Sequence, residues 1–211
     1  YEVTYDALKK GPQVKKTYRI TDHDAHASLR VVTCRHCGLS CLNPRHEPET
    51  IIEDYVMMKD EKYVQEAAGR RAAARIILKD LTRHKKTGKL LDIGCATGFL
   101  LDEARKQGWD VYGVEFSRWA VQYAREELGL PHVIQGTLQD AGFSKGFFDA
   151  IVMTDVIEHL TDPKATLHEV RQLLKPNGIF CCTTPDIDST VSKLLKAKWW
   201  GIKQAHLFYF N

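Results

Sequence analysis

The sequence predicts an α/β protein built on a doubly wound parallel sheet, and three observations carry that prediction. From residue 87 onward, short apolar runs of strand composition alternate with stretches of helical periodicity. The first run, Leu90-Leu-Asp92-Ile, leads into a turn with glycines at 94 and 98. The second, Val111-Tyr-Gly-Val, ends on Glu115, 23 residues after Asp92. An acid at the tip of the second strand and a glycine turn after the first are the two features that such sheets place at the crevice where strand order reverses.

The elements follow in chain order. Val31-Val-Thr-Cys34-Arg-His-Cys37-Gly-Leu-Ser-Cys41 has the Cys-x-x-Cys-Gly knuckle of a zinc ribbon on a β-hairpin. A tetrahedral zinc site needs four ligands, and only the Cys34 and Cys37 pair is evident. His23 and His26 would supply the other two, Cys41 a third, or the partner pair would lie ahead of Tyr1. The chain begins without methionine, which favours such a lost pair, and free thiols in an empty knuckle are an equal alternative. From Glu49 to about Lys85 the chain reads as helical, opened by Pro48 and Glu49. Val64, Ala67, Ala68, Ala74, Ile77, Leu78 and Leu81 form its apolar stripe. After the Asp92 strand a helix is expected from about Thr97 to Lys106. Beyond Glu115, Ser117 is an N-cap, Ala120, Val121, Ala124 and Leu128 share a face, and Gly129 can end that helix in left-handed geometry. Strands are expected at His132 to Gln135 and at Phe148 to Thr154. Asp162 caps a helix whose first turn holds Pro163 and which turns Leu167, Val170, Leu173 and Leu174 inward. Pro176-Asn-Gly178 stops it and launches a strand over Ile179 to Thr184.

Composition narrows the class. At 44% hydrophobic and 27% charged residues the chain is an ordinary globular one, and a net charge of +3 gives no strong signal for a polyanion partner. No apolar stretch approaches the roughly 18 residues that span a bilayer, and no secretory leader is evident, so a cytoplasmic location is expected. The six cysteines show no even disulfide framework. Cys95 lies in the glycine turn, and Cys181 and Cys182, as strand neighbours, point to opposite faces.

The glycine spacing narrows the ligand. Dinucleotide folds use Gly-x-Gly-x-x-Gly because a pyrophosphate sits on the helix N-terminus. Here the pattern is Asp92-x-Gly94-x-x-x-Gly98, with an acid two residues before the first glycine. Asp92 repels an anion but not a cationic or zwitterionic ligand. This segment resembles motif I of the class I S-adenosylmethionine (SAM) methyltransferases, and Leu173-Leu-Lys-Pro-Asn-Gly-Ile is similar to the start of the family's fifth strand. The resemblance implies a Rossmann-like fold, SAM as donor with S-adenosylhomocysteine as product, and cofactor contacts at Asp92, Gly94, Cys95, Ala96, Gly98, Phe99, Glu115, Phe116, Thr137, Leu138 and Thr154. It divides the chain into a zinc-ribbon-like segment (1–47, with Cys34 and Cys37 as candidate zinc ligands), a helical lid or linker carrying Tyr55 and Tyr63 (48–86), and the methyltransferase domain (87–211). Against it stands the plain reading that Gly94 and Gly98 merely close a strand-to-helix turn.

Chemistry is expected just after the fourth strand of this sheet, at Thr154-Asp155-Val-Ile-Glu158-His159-Leu. On a helix beginning there, Asp155, Glu158 and His159 fall at i, i+3 and i+4 and share a face. Transfer from a sulfonium has a good leaving group, so positioning dominates, but a hydroxyl acceptor must lose its proton. Histidine is the natural base at neutral pH. The family signature Asp/Glu-x-x-Glu-His-Leu matches these residues and implies His159 as the base, with Glu158 and Asp155 beside it. A similar Glu-x-x-Glu-His cluster binds a divalent metal in the ubiquinone-pathway O-methyltransferases and in the small-RNA 2′-O-methyltransferases. The RNA type also needs a distant histidine, for which His206 is the candidate. The plain alternative is that Glu158 and His159 only cap and orient the helix.

Two departures limit the resemblance. Where family members place an acid for the adenine amine, Gly136 is followed by Thr137-Leu138-Gln139-Asp140, so the Leu138 backbone, with Asp140 or Gln139, is expected to serve. Only 26 residues follow Pro185, whereas the full fold adds an antiparallel hairpin. The chain looks truncated, which leaves its fifth strand as an exposed edge. Trp199-Trp-Gly-Ile-Lys-Gln-Ala-His206-Leu-Phe-Tyr-Phe resembles the family's segment just before that hairpin. The expectation is a SAM-dependent methyltransferase acting on a hydroxyl of a small molecule, such as a sugar or nucleotide sugar. An RNA methyltransferase is disfavoured: the Asn/Asp-Pro-Pro-aromatic motif is absent at Met153-Thr-Asp-Val156, and the basic residues lack aromatic interleaving. A non-catalytic SAM-binding module is the third reading. No membrane or nucleic-acid partner is expected, and the oligomeric state is not legible.

Overall fold

Alternation of apolar side chains within each strand decides the architecture. The structure, a computed structural model, describes residues 2–6, 29–45 and 48–211. Strands β1 (Glu2–Asp6), β2 (Arg30–Thr33), β3 (Ser40–Leu42), β4 (Lys89–Ile93), β5 (Asp110–Glu115), β6 (Val133–Gln135), β7 (Phe148–Thr154), β8 (Leu174–Thr183) and β9 (Phe208–Tyr209) form two sheets. The larger, in the order β6-β5-β4-β7-β8, is parallel throughout. Leu90, Ala150 and Val152 pack on one face with Leu78, Leu101 and Ala124. Their neighbours Leu91, Ile151 and Met153 pack on the other with Val170 and Leu173. That two-residue alternation gives both faces a helical cover, as parallel sheets require. Strand order reverses between β4 and β7, so their carboxyl ends flank the crevice.

Helices α1 (Pro48–Val56), α2 (Glu61–Gln65), α3 (Ala67–His84), α4 (Phe99–Lys106), α5 (Arg118–Glu126), α6 (Leu138–Ala141), α7 (Pro163–Leu173) and α8 (Thr190–Leu195) complete the chain. Local chemistry set several starts as expected. The Ser117 side chain accepts from the Ala120 N–H, and the Asp162 side chain accepts from the Ala165 N–H with proline in the first turn.

Other expectations are corrected. The single helix over 49–85 is three: Asp60 starts α2 by accepting from the Tyr63 N–H at 3.2 Å, and Glu66 separates α2 from α3. Helix α5 ends at Glu126, before Gly129, whose φ of +61° bends the chain instead. Leu167 is 37% exposed because its position on α7 faces away from the sheet, and Leu174 already belongs to β8. Strand β8 starts at Leu174, ahead of the turn residues, through a register shift opposite Phe148–Ala150. No helix among the described residues is long and apolar enough to cross a membrane.

The smaller sheet joins both ends of the described chain. β1, β2, β3 and β9 pair antiparallel in that order, with Cys41 opposite Phe208 and Ser40 opposite Tyr209. Beneath it Leu29, Val31 and Leu42 pack with Trp199, Ile202 and Leu207. The cysteine hairpin and the segment that carries His206 are thus one structural unit, which positions that segment beside the end of β7.

Candidate active site

Two groups of residues meet at the carboxyl edge of the larger sheet. The first surrounds the β4–α4 turn. Gly94 (φ +70°), Ala96 (φ +46°) and Gly98 (φ +83°) all take left-handed backbone. A Cβ on Gly94 would lie 2.5 Å from Val156 Cγ2, and one on Gly98 would lie 2.6 Å from Leu130 Cδ1. Fold packing alone therefore demands both glycines. The Gly94 and Cys95 N–H groups donate to the Val114 carbonyl at 2.9 and 3.2 Å, and the Glu115 carboxylate accepts from the Ala96 and Ser117 N–H groups at 2.9 and 2.8 Å. Glu115 thereby rivets the tip of β5 to the turn.

The electrostatics of this end ask for a ligand. Asp92 and Glu115 are both buried. Burial, and then the Glu115 charge, raise the Asp92 pKa, while burial raises that of Glu115 against the pull of its N–H donors. Asp92 Oδ1 and Thr97 Oγ1 are buried without hydrogen-bond partners, and such atoms cost free energy until a donor reaches them. A narrow cleft opens here, bordered by Met58, Asp60, Tyr63, Thr97, Ser117 and Trp119 among others. Tyr63 of α2 lies flat on Phe99, with ring centroids 6.0 Å apart. The Ser117 hydroxyl donates to the Met58 carbonyl at 2.7 Å. The α1–α2 segment is thus closed over the turn. Two buried acids and an orphan carboxylate oxygen suit a ligand that brings hydroxyl and ammonium donors, as the nucleoside and amino-acid ends of SAM do.

The remaining residues expected at the cofactor are more dispersed. Cys95 is buried and packs against Gly113; Ala96 and Phe99 are buried, and Phe116 is half-buried. Thr137 and Asp140 form a capping box for α6, with the Asp140 carboxylate accepting from the Thr137 N–H at 2.8 Å. Asp140 is therefore committed to the helix, and Gln139 donates to Glu169 on α7. Leu138 is buried against Val114 and Met153. Thr154 ends β7, half-buried.

The second group follows β7. The expected helix is absent: Asp155 takes φ +52°, which the helix cannot continue, and only Ile157–His159 form a single 3₁₀ turn. Asp155 is exposed, and its Oδ1 accepts from the Thr183 hydroxyl at 3.4 Å. Glu158 is 1% exposed; its Oε2 accepts from the Thr184 hydroxyl at 2.9 Å while Oε1 has no partner. His159 Nδ1 lies 2.8 Å from the Ala205 carbonyl and 2.8 Å from the Tyr55 hydroxyl. His159 Nε2 faces Glu158 Oε1 at 4.0 Å. His206, buried, sets its ring 4.8 Å from that of His159. Burial, first among the causes, pushes Glu158 up to about 7 and His159 down to about 4.

The zinc-ribbon-like pair sits elsewhere, at the tip of the β2–β3 hairpin. The Cys34 N–H donates to the Leu39 carbonyl and the Gly38 N–H to the Cys34 carbonyl, both at 2.9 Å, with Gly38 at φ +76°. Backbone N–H groups of Cys37 and then His36 lower the Cys34 thiol below its usual range. His23 and His26 lie outside the described residues. Among the described residues, the one group of three potential ligands with ligand atoms all within 4.8 Å of one another is Glu158, His159 and His206. Thr184 and the Ala205 carbonyl were not foreseen. Thr184 lies just beyond β8, whose place beside β7 is the only signal that would have found it.

Comparison with known proteins fits this arrangement. A family described as a methyltransferase domain matches residues 63–211. A ubiquinone biosynthesis O-methyltransferase of Cereibacter sphaeroides is 33% identical over 127 residues, which make up 56% of this chain and 51% of that protein. The protein of the same description from Pasteurella multocida is 36% identical over 129 residues, 54% of this chain and 50% of its own. The chain spans about half the length of the curated relatives it matches. A Pyrococcus horikoshii crystal structure is similar at a TM-score of 0.52 and 28% identity, over 59% of this chain and 62% of that one. A SAM-dependent methyltransferase of Archaeoglobus fulgidus shares the fold at a TM-score of 0.54 and 20% identity, over 68% and 67% of the two chains.

Proposed function

Because the chain belongs to the class I SAM-dependent methyltransferase family, we propose that it transfers the methyl group of SAM to a hydroxyl of a small-molecule acceptor. The observation that carries the reading is the unpartnered Glu158 Oε1, buried beside His159 Nε2 at the end of β7 and next to the β4–α4 turn. The names of the similar ubiquinone biosynthesis enzymes support oxygen as the methylated atom. The acceptor we favour is a sugar, a nucleotide sugar or a related hydroxylated metabolite.

Bound SAM supplies an electrophilic methyl carbon on a sulfonium that departs as the neutral thioether of S-adenosylhomocysteine. In this reading Glu115 accepts from the ribose hydroxyls through the lone pairs that its backbone donors leave free, and Asp92 Oδ1 accepts from the amino-acid end. Gly94, Cys95, Ala96, Gly98 and Phe99 shape the turn beneath it, with Phe116, Thr137, Leu138 and Thr154 along the adenosine side. The α1–α2 lid excludes water through Tyr63. The acceptor oxygen lies at the gap between Glu158 and His159. As the carbon–oxygen bond forms and the carbon–sulfur bond breaks, the hydroxyl proton passes to that pair. His159 Nδ1–H, held by the Ala205 carbonyl, keeps Nε2 aimed at the gap, and the Asp155 charge acts on Glu158 from outside.

The test is S-adenosylhomocysteine release measured against a panel of hydroxylated sugars, nucleotide sugars and phenols. Acceptor-dependent turnover is expected. SAM binding without turnover on any acceptor would leave only a binding module, and turnover confined to RNA would replace the acceptor class.

A further inference from the structure

We infer that Tyr55 is a positioning residue for the transfer: from the lid helix α1 its hydroxyl oxygen shares the His159 Nδ1–H with the Ala205 carbonyl and so holds Nε2 toward the acceptor. The inference deepens the reading above and rests on it for the reaction, while the contact itself is read out without cofactor or acceptor.

The two tyrosines that the sequence places in the lid serve different ends of the site. Tyr63 lies on Phe99 beside the β4–α4 turn. Tyr55 faces His159, with its hydroxyl 2.8 Å from Nδ1 and the two rings edge to face at 6.0 Å. Helix α1 aims it there. Ile51 and Tyr55, at i and i+4, share a face of that helix. Ile51 is buried with Leu42, Trp199 and Leu207, and Tyr55 packs on the same cluster. The helix is thus seated on the smaller sheet, and its tyrosine reaches the turn that follows β7.

The carbonyl decides where the hydrogen is. The Ala205 oxygen, 2.8 Å from His159 Nδ1, only accepts, so Nδ1 carries the ring hydrogen and Nε2 keeps a lone pair. The Tyr55 oxygen, also at 2.8 Å, then accepts the same hydrogen in a three-centre bond. A ring held by one oxygen can pivot about that single bond. Two oxygens from different elements, with the His206 ring edge-on at 4.8 Å, fix its plane. Nε2 is thereby kept facing Glu158 Oε1 across the 4.0 Å gap assigned to the acceptor hydroxyl.

His159 needs this support when it takes a proton. Burial, and then the Lys203 charge, oppose an imidazolium there, and the Ala205 carbonyl favours one. As Nε2 accepts the hydroxyl proton, Nδ1–H becomes a charged donor, whose hydrogen bonds are stronger than those of a neutral ring. The Tyr55 oxygen is the part of this support that the lid brings. The same lid is fastened at the cofactor end, where the Ser117 hydroxyl donates to the Met58 carbonyl at 2.7 Å. Closure over the cofactor and support of the base are therefore one event, and an open lid leaves His159 with the Ala205 carbonyl alone.

The experiment is NMR of the whole chain isotope-labelled at its histidine nitrogens, with His159→Gln assigning the resonance. At neutral pH His159 is expected to carry its hydrogen on Nδ1, with a downfield proton signal. In Tyr55→Phe, which keeps the ring, that proton moves upfield and exchanges with water about tenfold faster, the worth of one hydrogen bond. Tyr112→Phe, which removes a hydroxyl that donates to Asp110 at the other end of the sheet, leaves it unchanged. On a hydroxyl acceptor that supports turnover, Tyr55→Phe lowers kcat about ten- to a hundredfold, as loss of a hydrogen bond to a charged group does, and leaves the KM for SAM unchanged. Circular dichroism and SAM affinity check the fold, and Tyr55→Leu repeats the test if Tyr55→Phe does not fold. A hydrogen on Nε2 in the parent, an unmoved Nδ1–H in a folded variant, or an unchanged kcat overturns the inference. A parent chain that turns over no acceptor is the separate failure of the methyl-transfer reading, and leaves the His159 resonance to decide the contact.

Discussion

Glu158 Oε1 and His159 Nε2 face each other across 4.0 Å, and the carboxylate oxygen has no other partner. Burial drives the two groups in opposite directions, Glu158 up to about 7 and His159 down to about 4. At mildly acidic pH the folded pair is therefore neutral on both sides, whereas in the unfolded chain it is a carboxylate and an imidazolium. Its charge state is set by the fold.

That inversion gives a signed pH dependence. His159, shifted from 6.5 to about 4, and His206, shifted from 6.5 to about 2, bind protons in the unfolded chain first. Stability owed to them is lost as pH falls below 6.5. Glu158, shifted from 4.5 to about 7, binds its proton in the folded chain first, so its contribution is lost as pH rises through 4.5 to 7. Between roughly 4.5 and 6.5 Glu158 cancels one histidine and leaves the other uncompensated. Glu158→Gln should therefore steepen the loss of stability on acidification in this window by one proton, about 1.4 kcal/mol per pH unit. Urea denaturation at several pH values measures it, and parallel curves for parent and variant would refute the inverted pair.

The same pair predicts a separation of binding from chemistry. His159→Ala should leave SAM affinity nearly intact, because His159 is bound to Ala205 and Tyr55 and not to the β4–α4 turn. Turnover on a hydroxyl acceptor should fall by about 10² to 10⁴, the range that a positioned proton acceptor supplies. Full turnover on an authentic acceptor would make His159 structural and move the search to His206.

How much of this was legible depended on how local the cause was. Strand β7 could be read from Phe148 to Thr154 because a buried parallel strand is a continuous apolar run, and α7 because Asp162 and Pro163 are neighbours in sequence. The 155–159 segment could not. Its i, i+3, i+4 spacing suits a helix, but the Glu158 carbonyl is taken by the N–H of the distant Leu207, and Asp155 adopts left-handed backbone, which the spacing does not encode. The convergence of His206 on His159 depends on β9 joining β3, a pairing between chain ends that no local pattern encodes. The glycine turn was legible in shape, but not in the reason that Val156 and Leu130 fill the space beside its glycines.

Glu115 ties Ala96 and Ser117 through both carboxylate oxygens, and in the proposed function it also accepts from the ribose hydroxyls. Glu115→Ala should weaken SAM binding by about 1.5–3 kcal/mol, the cost of losing hydrogen bonds to a charged group. Calorimetry decides it. Unchanged SAM affinity, or tighter binding of NAD than of SAM, would remove the carboxylate from the cofactor site.

The last prediction concerns Cys34 and Cys37. Their hairpin turns with Gly38 at φ +76° and the Gly38 N–H on the Cys34 carbonyl, and the N–H groups of Cys37 and His36 favour a Cys34 thiolate. The thiolate is the metal-binding form. Cys41 is affected by the charges of both cysteines, but burial is the larger influence and raises its thiol, which leaves it a poorer donor. If the knuckle holds zinc, protein purified without added metal should carry about one equivalent that Cys34→Ser removes and His206→Ala retains, since structural zinc binds tightly. That contrast distinguishes the knuckle from an ion at Glu158, His159 and His206. Less than a tenth of an equivalent sensitive to Cys34→Ser would mean that Cys34 and Cys37 are free thiols, and that the hairpin holds its shape through β1, β3 and the packing of Val31 and Leu42 on Leu207 and Trp199 alone.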